Sequence, residues 1–189
     1  CNFEVPLPAD DSPETAAAVE TYDAIYNRFF LGGLFRRAYP VPVLAGLEPH
    51  LPAGWQDDFD TIAAPLDWLG VNYYTCKRIA AAPGPWPGYA ERPGPLPKTQ
   101  MGWEIYPEGL ARVLGIAHDH AGDLPIFVTE NGMARADMKG PDGTIDDAER
   151  TAYLDAHLAQ VQGAIADGVP VRGYYVWSLL DNYEWAEGY

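Results

Sequence analysis

Three short constellations carry side chains able to do chemistry. The first is Thr129-Glu130-Asn131-Gly132, which follows directly on the apolar run Pro125 to Val128. A carboxylate at the end of a buried strand, held by neighbouring hydrogen-bond donors, stays ionised and is placed to attack an electron-poor carbon or to stabilise a cationic transition state. Spacing alone favours a plainer account, in which Asn131-Gly132 makes a turn and Glu130 is its solvated shoulder. The second is Asn72 with Tyr74, two residues apart in an extended run and so on one side of it. A phenol there can donate to a carboxylate nucleophile and keep it anionic; it can equally be an ordinary buried tyrosine. The third is Trp177 followed by Glu184-Trp185. Sugars offer flat C–H faces that pack on indole rings and hydroxyl pairs that suit a carboxylate and an indole N–H, so this is a carbohydrate-site composition. Aromatic residues beside acids are also common on surfaces.

Composition narrows the field around these groups. The chain has 189 residues, 48% of them hydrophobic, enough for one ordinary domain with a sizeable core. Its 27 acidic and 12 basic residues give a formal charge of -15, which repels phosphate backbones and anionic membranes. Nucleic acid and membrane surfaces are therefore not expected partners. No apolar run approaches the roughly 20 residues needed to cross a bilayer. The two cysteines, Cys1 and Cys76, make no disulfide framework, and no Cys/His spacing resembles a metal site. That suits a reducing compartment and a cytoplasmic location, although the chain opens on Cys-Asn-Phe-Glu without Met.

The elements that must position these residues alternate in type. Ser12-Pro13-Glu14 reads as an N-cap, a proline at the first helical position and an acid in the first turn of a helix running to about Phe35. Gly32-Gly33 is expected to break it. Tyr39 to Trp55 reads as an irregular connection, with a short helix near Asp57 to Ala64. Asp67 to Tyr74 reads as a buried strand, and residues 83–97, dense in proline and glycine, as a surface loop. Pro107 opens a helix with Leu110, Val113, Leu114 and Ala117 on one face, ending near Gly122. Pro125 to Thr129 is a second strand. Leu154, Leu158, Val161 and Ile165 mark one face of a helix from about Asp147 to Asp167, and Val171 to Trp177 is a third strand.

Strands separated by helices imply right-handed βαβ units and a parallel sheet. Neither a dinucleotide fingerprint nor a P-loop is present, and polar or aromatic residues stand at the C-terminal end of every strand, as in barrel enzymes. A complete barrel needs about 250 residues and eight strands, so three strands indicate part of one.

Taken in order and spacing, Asp67-Trp68-Leu69-Gly70-Val71-Asn72-Tyr73-Tyr74, Val128-Thr129-Glu130-Asn131-Gly132, and the run from Val176-Trp177-Ser178 through Asp181-Asn182-Tyr183-Glu184-Trp185 to Tyr189 closely resemble glycoside hydrolase family 1. Pro8 to Glu14 and Asn27 to Phe30 resemble the family's segment after the fifth barrel strand, and Gly102 to Pro107 the segment before its helix preceding strand seven. The resemblance implies an α/β fold, an incomplete (β/α)8 TIM barrel covering roughly strands five to eight, truncated at both ends. It further implies hydrolysis of terminal β-D-glucosyl residues with retention, acting on a small β-glucoside or cello-oligosaccharide without a cofactor.

On that resemblance Glu130 is the nucleophile and Tyr74 its hydrogen-bonding partner. Asn72 lies in the pocket, Trp103 is the aglycone platform, Trp177 stacks on the sugar, and Glu184 with Trp185 holds its hydroxyls. Two departures matter. The family's acid/base glutamate, in an Asn-Glu-Pro motif, has no counterpart here, and the sugar-binding Gln, His and Trp of the first strands are absent. The span alone is therefore expected to be inactive and, with a bare sheet edge, to associate or dissolve poorly. Glu184 would repel a phosphate dianion, which predicts a non-phosphorylated sugar. A thioglucosidase, and a sugar-binding relative without catalysis, are the alternatives. Retention of both Glu130 and Tyr74 speaks against the second.

Overall fold

The structure, a computed structural model, describes residues 1–188; Tyr189, the last residue of the third motif, lies outside the described residues. The elements run β1 (Asn2–Pro8), α1 (Pro13–Asp23), a π-helical turn (Ala24–Arg28), α2 (Phe29–Arg36), α3 (Val41–Leu47), α4 (Phe59–Ile62), β2 (Leu69–Ala81), β3 (Tyr89–Arg92), α5 (Glu108–Ala121), β4 (Ile126–Asn131), α6 (Ala148–Ala166) and β5 (Val171–Val176). The strands lie in the order β1-β2-β4-β5, each pair parallel, while β3 pairs antiparallel with β2. Four successive parallel strands with helical crossovers are the incomplete α/β barrel expected from the resemblance.

Strand residues alternate between two faces. Leu69, Val71 and Tyr73 of β2 and Ile126 and Val128 of β4 turn toward the helices, where they meet Leu110, Val113, Leu114 and Ala117 of α5 in one core. Each fully buried aliphatic side chain contributes about 1.5–3 kcal/mol. Asn72 and Tyr74, on the alternate positions, face the other side.

Several expectations need correcting. The residue pattern alone does not mark β1 as a strand, because Glu4, Pro6 and Pro8 spoil its apolar run, although the resemblance puts the fifth barrel strand before Pro8; Phe3 and Val5 enter the core, and β2 supplies the ladder. Ser12 does cap α1, its Oγ accepting from the Thr15 amide at 3.2 Å. The interruption then falls at residues 24–28 rather than at Gly32-Gly33, which lie inside α2. Gly32 serves packing: a Cβ there would stand 2.5 Å from the Ala38 carbonyl oxygen. The connection after Tyr39 holds the short helix α3. β2 continues seven residues beyond Tyr74, to Ala81, because β1 and β3 pair with its extension, so the Pro/Gly run contains a strand.

The buried side of α6 also differs. Tyr153, His157, Val161 and Ala164 face inward, whereas Leu158 and Ile165 are exposed. A polar aromatic pair four residues apart, not the leucines, marks the inward stripe. Among the described residues no helix is long and apolar enough to cross a membrane.

Candidate active site

β4 departs from regular alternation at the point where its carboxylate is needed. Val71 pairs with Val128, but the next residue of β2, Asn72, pairs with Glu130, so Thr129 is an extra residue on β4. A second irregularity lies on the other side, where Val128 pairs with Tyr174 and Asn131 with Val176. Such a bulge re-aims the side chains that follow it. Strict alternation from buried Val128 would send Glu130 toward the helices and Asn131 away from them. Instead Asn131 is fully buried, and Glu130 joins Thr129 on the face of Asn72 and Tyr74.

The resulting contacts are short. The Tyr74 hydroxyl donates to Glu130 Oε2 at 2.6 Å, and the Thr129 hydroxyl donates to Asn72 Oδ1 at 2.5 Å. Burial, then the hydrogen bond to Glu130 and the charges of Glu130 and Glu184, push the Tyr74 phenol well above the ordinary tyrosine range. Tyr74 thus stays a neutral donor to the carboxylate.

The remaining residues singled out from sequence frame this pair unequally. The Trp103 ring lies against Tyr74, centroids 5.5 Å apart at 58°. Trp177 follows β5, its amide donating to the Asn131 carbonyl at 3.0 Å. The ends of β4 and β5 approach so closely here that a Cβ on Gly132 would meet the Trp177 carbonyl oxygen at 2.1 Å. Glu184 takes a hydrogen bond from Asn182 Nδ2 at 3.0 Å, and its charge reaches Tyr74. Trp185 is 84% exposed, on backbone with a φ of 39°.

Beside the carboxylate, the open face holds a groove of about 570 Å³ lined by Trp68, Phe127, Thr129, Tyr175, Val176, Trp177 and Ser178. Trp68, Phe127 and Tyr175 were not singled out from sequence. Their periodicity across three strands was available as a signal, since each occupies an open-face position of its strand or the residue before it. Among the described residues no three His, Cys, Asp or Glu side chains converge to hold a metal ion. A carboxylate with a fixed phenol donor and aromatic walls has the chemistry to attack an electron-poor carbon.

Comparison with known proteins bears on the family. The glycosyl hydrolase family 1 profile matches residues 1–189. The chain is 39% identical over 183 residues to β-glucosidase A of Thermotoga maritima, covering 96% of this chain and 41% of that protein. It is also 39% identical over 183 residues to the 1,4-β-D-glucan glucohydrolase of Thermotoga neapolitana, covering 96% of this chain and 43% of that one. The solved family 1 β-glucosidase of Thermotoga maritima superposes with a TM-score of 0.94 at 38% identity, over 99% of this chain and 42% of that structure. The chain thus spans about two-fifths of the length of these relatives. Over that span, this chain belongs to glycosyl hydrolase family 1.

Proposed function

We propose that the full-length protein is a retaining β-glucosidase acting on terminal, non-phosphorylated β-D-glucosyl residues, with Glu130 as nucleophile. The observation that carries this reading is the 2.6 Å hydrogen bond from Tyr74 to Glu130 on the open face of the sheet. The names of the relatives, a β-glucosidase and a 1,4-β-D-glucan glucohydrolase, support a small β-glucoside or cello-oligosaccharide as substrate.

In the first step one Glu130 oxygen attacks the anomeric carbon while Tyr74 holds the other. The glycosidic C–O bond breaks, and the departing oxygen takes a proton from a second carboxyl group about 5 Å away. That group then removes a proton from water, which attacks the same carbon and frees Glu130 with net retention. The acid/base belongs to the part of the full-length protein outside residues 1–189. Trp177 stacks on the sugar, Glu184 and Trp185 take its hydroxyls, Asn72 lies beside the reacting centre, and Trp103 carries the aglycone. A phosphate dianion on the sugar's 6-position would meet Glu184 and be repelled.

A 2-fluoro glucoside inactivator tests the mechanism in the full-length protein. Mass spectrometry should find the label on Glu130; label elsewhere, or turnover without label, would overturn it. Replacing Glu184 by Ser should lower kcat/KM on β-glucosides, and unchanged kinetics would remove Glu184 from the sugar site.

A further inference from the structure

The bulge that turns Glu130 to the open face interrupts the ladders on both sides of β4, so backbone pairing alone does not set the spacing of Glu130 from Tyr74. What spans the gap is one side chain. Asn131 is fully buried; its Nδ2 donates to the Tyr73 carbonyl at 2.7 Å and to the Tyr153 hydroxyl at 3.1 Å, and its Oδ1 accepts from the Tyr174 hydroxyl. These partners belong to β2, α6 and β5 in turn. The Tyr153 hydroxyl in turn donates to the Tyr74 carbonyl at 3.5 Å.

Asn131 adjoins the carboxylate residue and Tyr73 adjoins its phenol donor. The bond between them therefore ties the two halves of the Tyr74–Glu130 pair through their neighbouring peptide units. Three of the four hydrogen-bonding positions of the amide are used, and a buried network so nearly satisfied specifies one geometry. Asp at this position would replace both donors by an oxygen facing the Tyr73 carbonyl. Leu would leave that carbonyl and two phenols without their partner.

We propose that Asn131 is the positioning residue for the nucleophile: with Tyr153 and Tyr174 it locks the β4 bulge that aims Glu130 at Tyr74. It touches neither substrate nor reacting atoms. This inference rests on the assignment of Glu130 above and adds a residue that acts only through it. Because the pair is needed most in the transition state, a misplaced Glu130 lowers the rate of its attack more than it weakens substrate binding.

The test uses the full-length protein and three variants, Asn131→Ser, Tyr153→Phe and Tyr174→Phe. The two tyrosine changes each delete one hydroxyl from the network and keep the ring packing, so they remain informative if Asn131→Ser does not fold. Labelling of Glu130 by a 2-fluoro glucoside, steady-state kinetics and thermal unfolding are measured on each. The expected result is a labelling rate and kcat lowered about tenfold or more in Tyr153→Phe and Tyr174→Phe, with KM within about twofold of the parent's, the split that marks lost transition-state stabilisation. Asn131→Ser, if folded, should fall further. Variants that unfold at lower temperature but label Glu130 at the parent's rate would overturn the proposal, leaving Asn131 a structural residue only. Failure of the unmodified protein to be labelled on Glu130 would instead overturn the assignment of the nucleophile.

Discussion

The two faces of the parallel sheet are built from the same strands and serve different ends. On the helix-covered face Val71, Tyr73, Ile126 and Val128, at alternate positions of their strands, are completely buried against α5 and α6. On the open face Asn72, Tyr74, Thr129 and Glu130 are only partly buried, and alternation is broken at Thr129 to bring the carboxylate round. The covered face is tuned for burial, where one methylene matters and chemistry is absent. The open face is tuned for the relative placement of a few polar atoms. The local rule fails at the residue where chemistry is concentrated, which is where such failures are expected.

Substitutions that separate activity from stability test this division in the full-length protein. The largest effect belongs to the open face. Glu130→Ala should lower kcat by at least about 10⁴-fold, the scale on which loss of a nucleophile is felt, while thermal unfolding shifts little because the side chain adds nothing to the core. A large drop in unfolding temperature would show the two faces to be energetically mixed. Next comes the covered face. Leu114→Ala, at a fully buried position of α5, should cost about 2–5 kcal/mol in denaturant unfolding, with kcat of the folded fraction unchanged. Tyr74→Phe follows: removing one hydrogen bond to a charged group is worth about 1.5–3 kcal/mol, or roughly 10- to 150-fold in kcat/KM, again with small change in unfolding temperature.

The covered face was the more legible of the two in the sequence, but only where apolar residues mark it. Leu110, Val113, Leu114 and Ala117 declare the buried stripe of α5 directly, because apolar side chains at helical spacing are chosen by burial itself. On α6 the same reasoning points to Leu158 and Ile165, since nothing local distinguishes a surface leucine from a core one, while Tyr153 enters the core where Asn131 donates to its hydroxyl and His157 stacks on its ring. β1 was hidden for a related reason: its ladder comes from β2, seventy residues away, and does not depend on its own pattern. At the site, Glu130 and Tyr74 were legible as residue types and as a family motif. The bulge was not, because an inserted residue has meaning only against the register of a neighbouring strand. Asn131 was read as half of a turn for the same reason.

His157 is where the two faces blur, since it is a titratable group among the fully buried residues of the covered side, packed on Tyr153 with ring centroids 3.9 Å apart. Burial holds its pKa below the ordinary imidazole value; the Tyr153 carbonyl hydrogen-bonded to Nδ1 and the charge of Glu108 pull it upward, but less strongly. The unfolded chain takes up this proton near pH 6.5, whereas the folded chain resists it. Stability from this group is therefore complete above about pH 6.5 and declines as the pH falls below it. Glu4 has the opposite sign: burial raises its pKa, so its contribution is greatest at low pH and is lost as the pH rises. Comparing the parent with His157→Gln cancels the Glu4 contribution, because both proteins carry it. The midpoint of urea unfolding should fall between pH 8 and pH 5 more steeply in the parent than in the variant. Parallel profiles would mean that the covered face accepts a charged imidazole, and that its separation from the chemistry of the open face is looser than its packing implies.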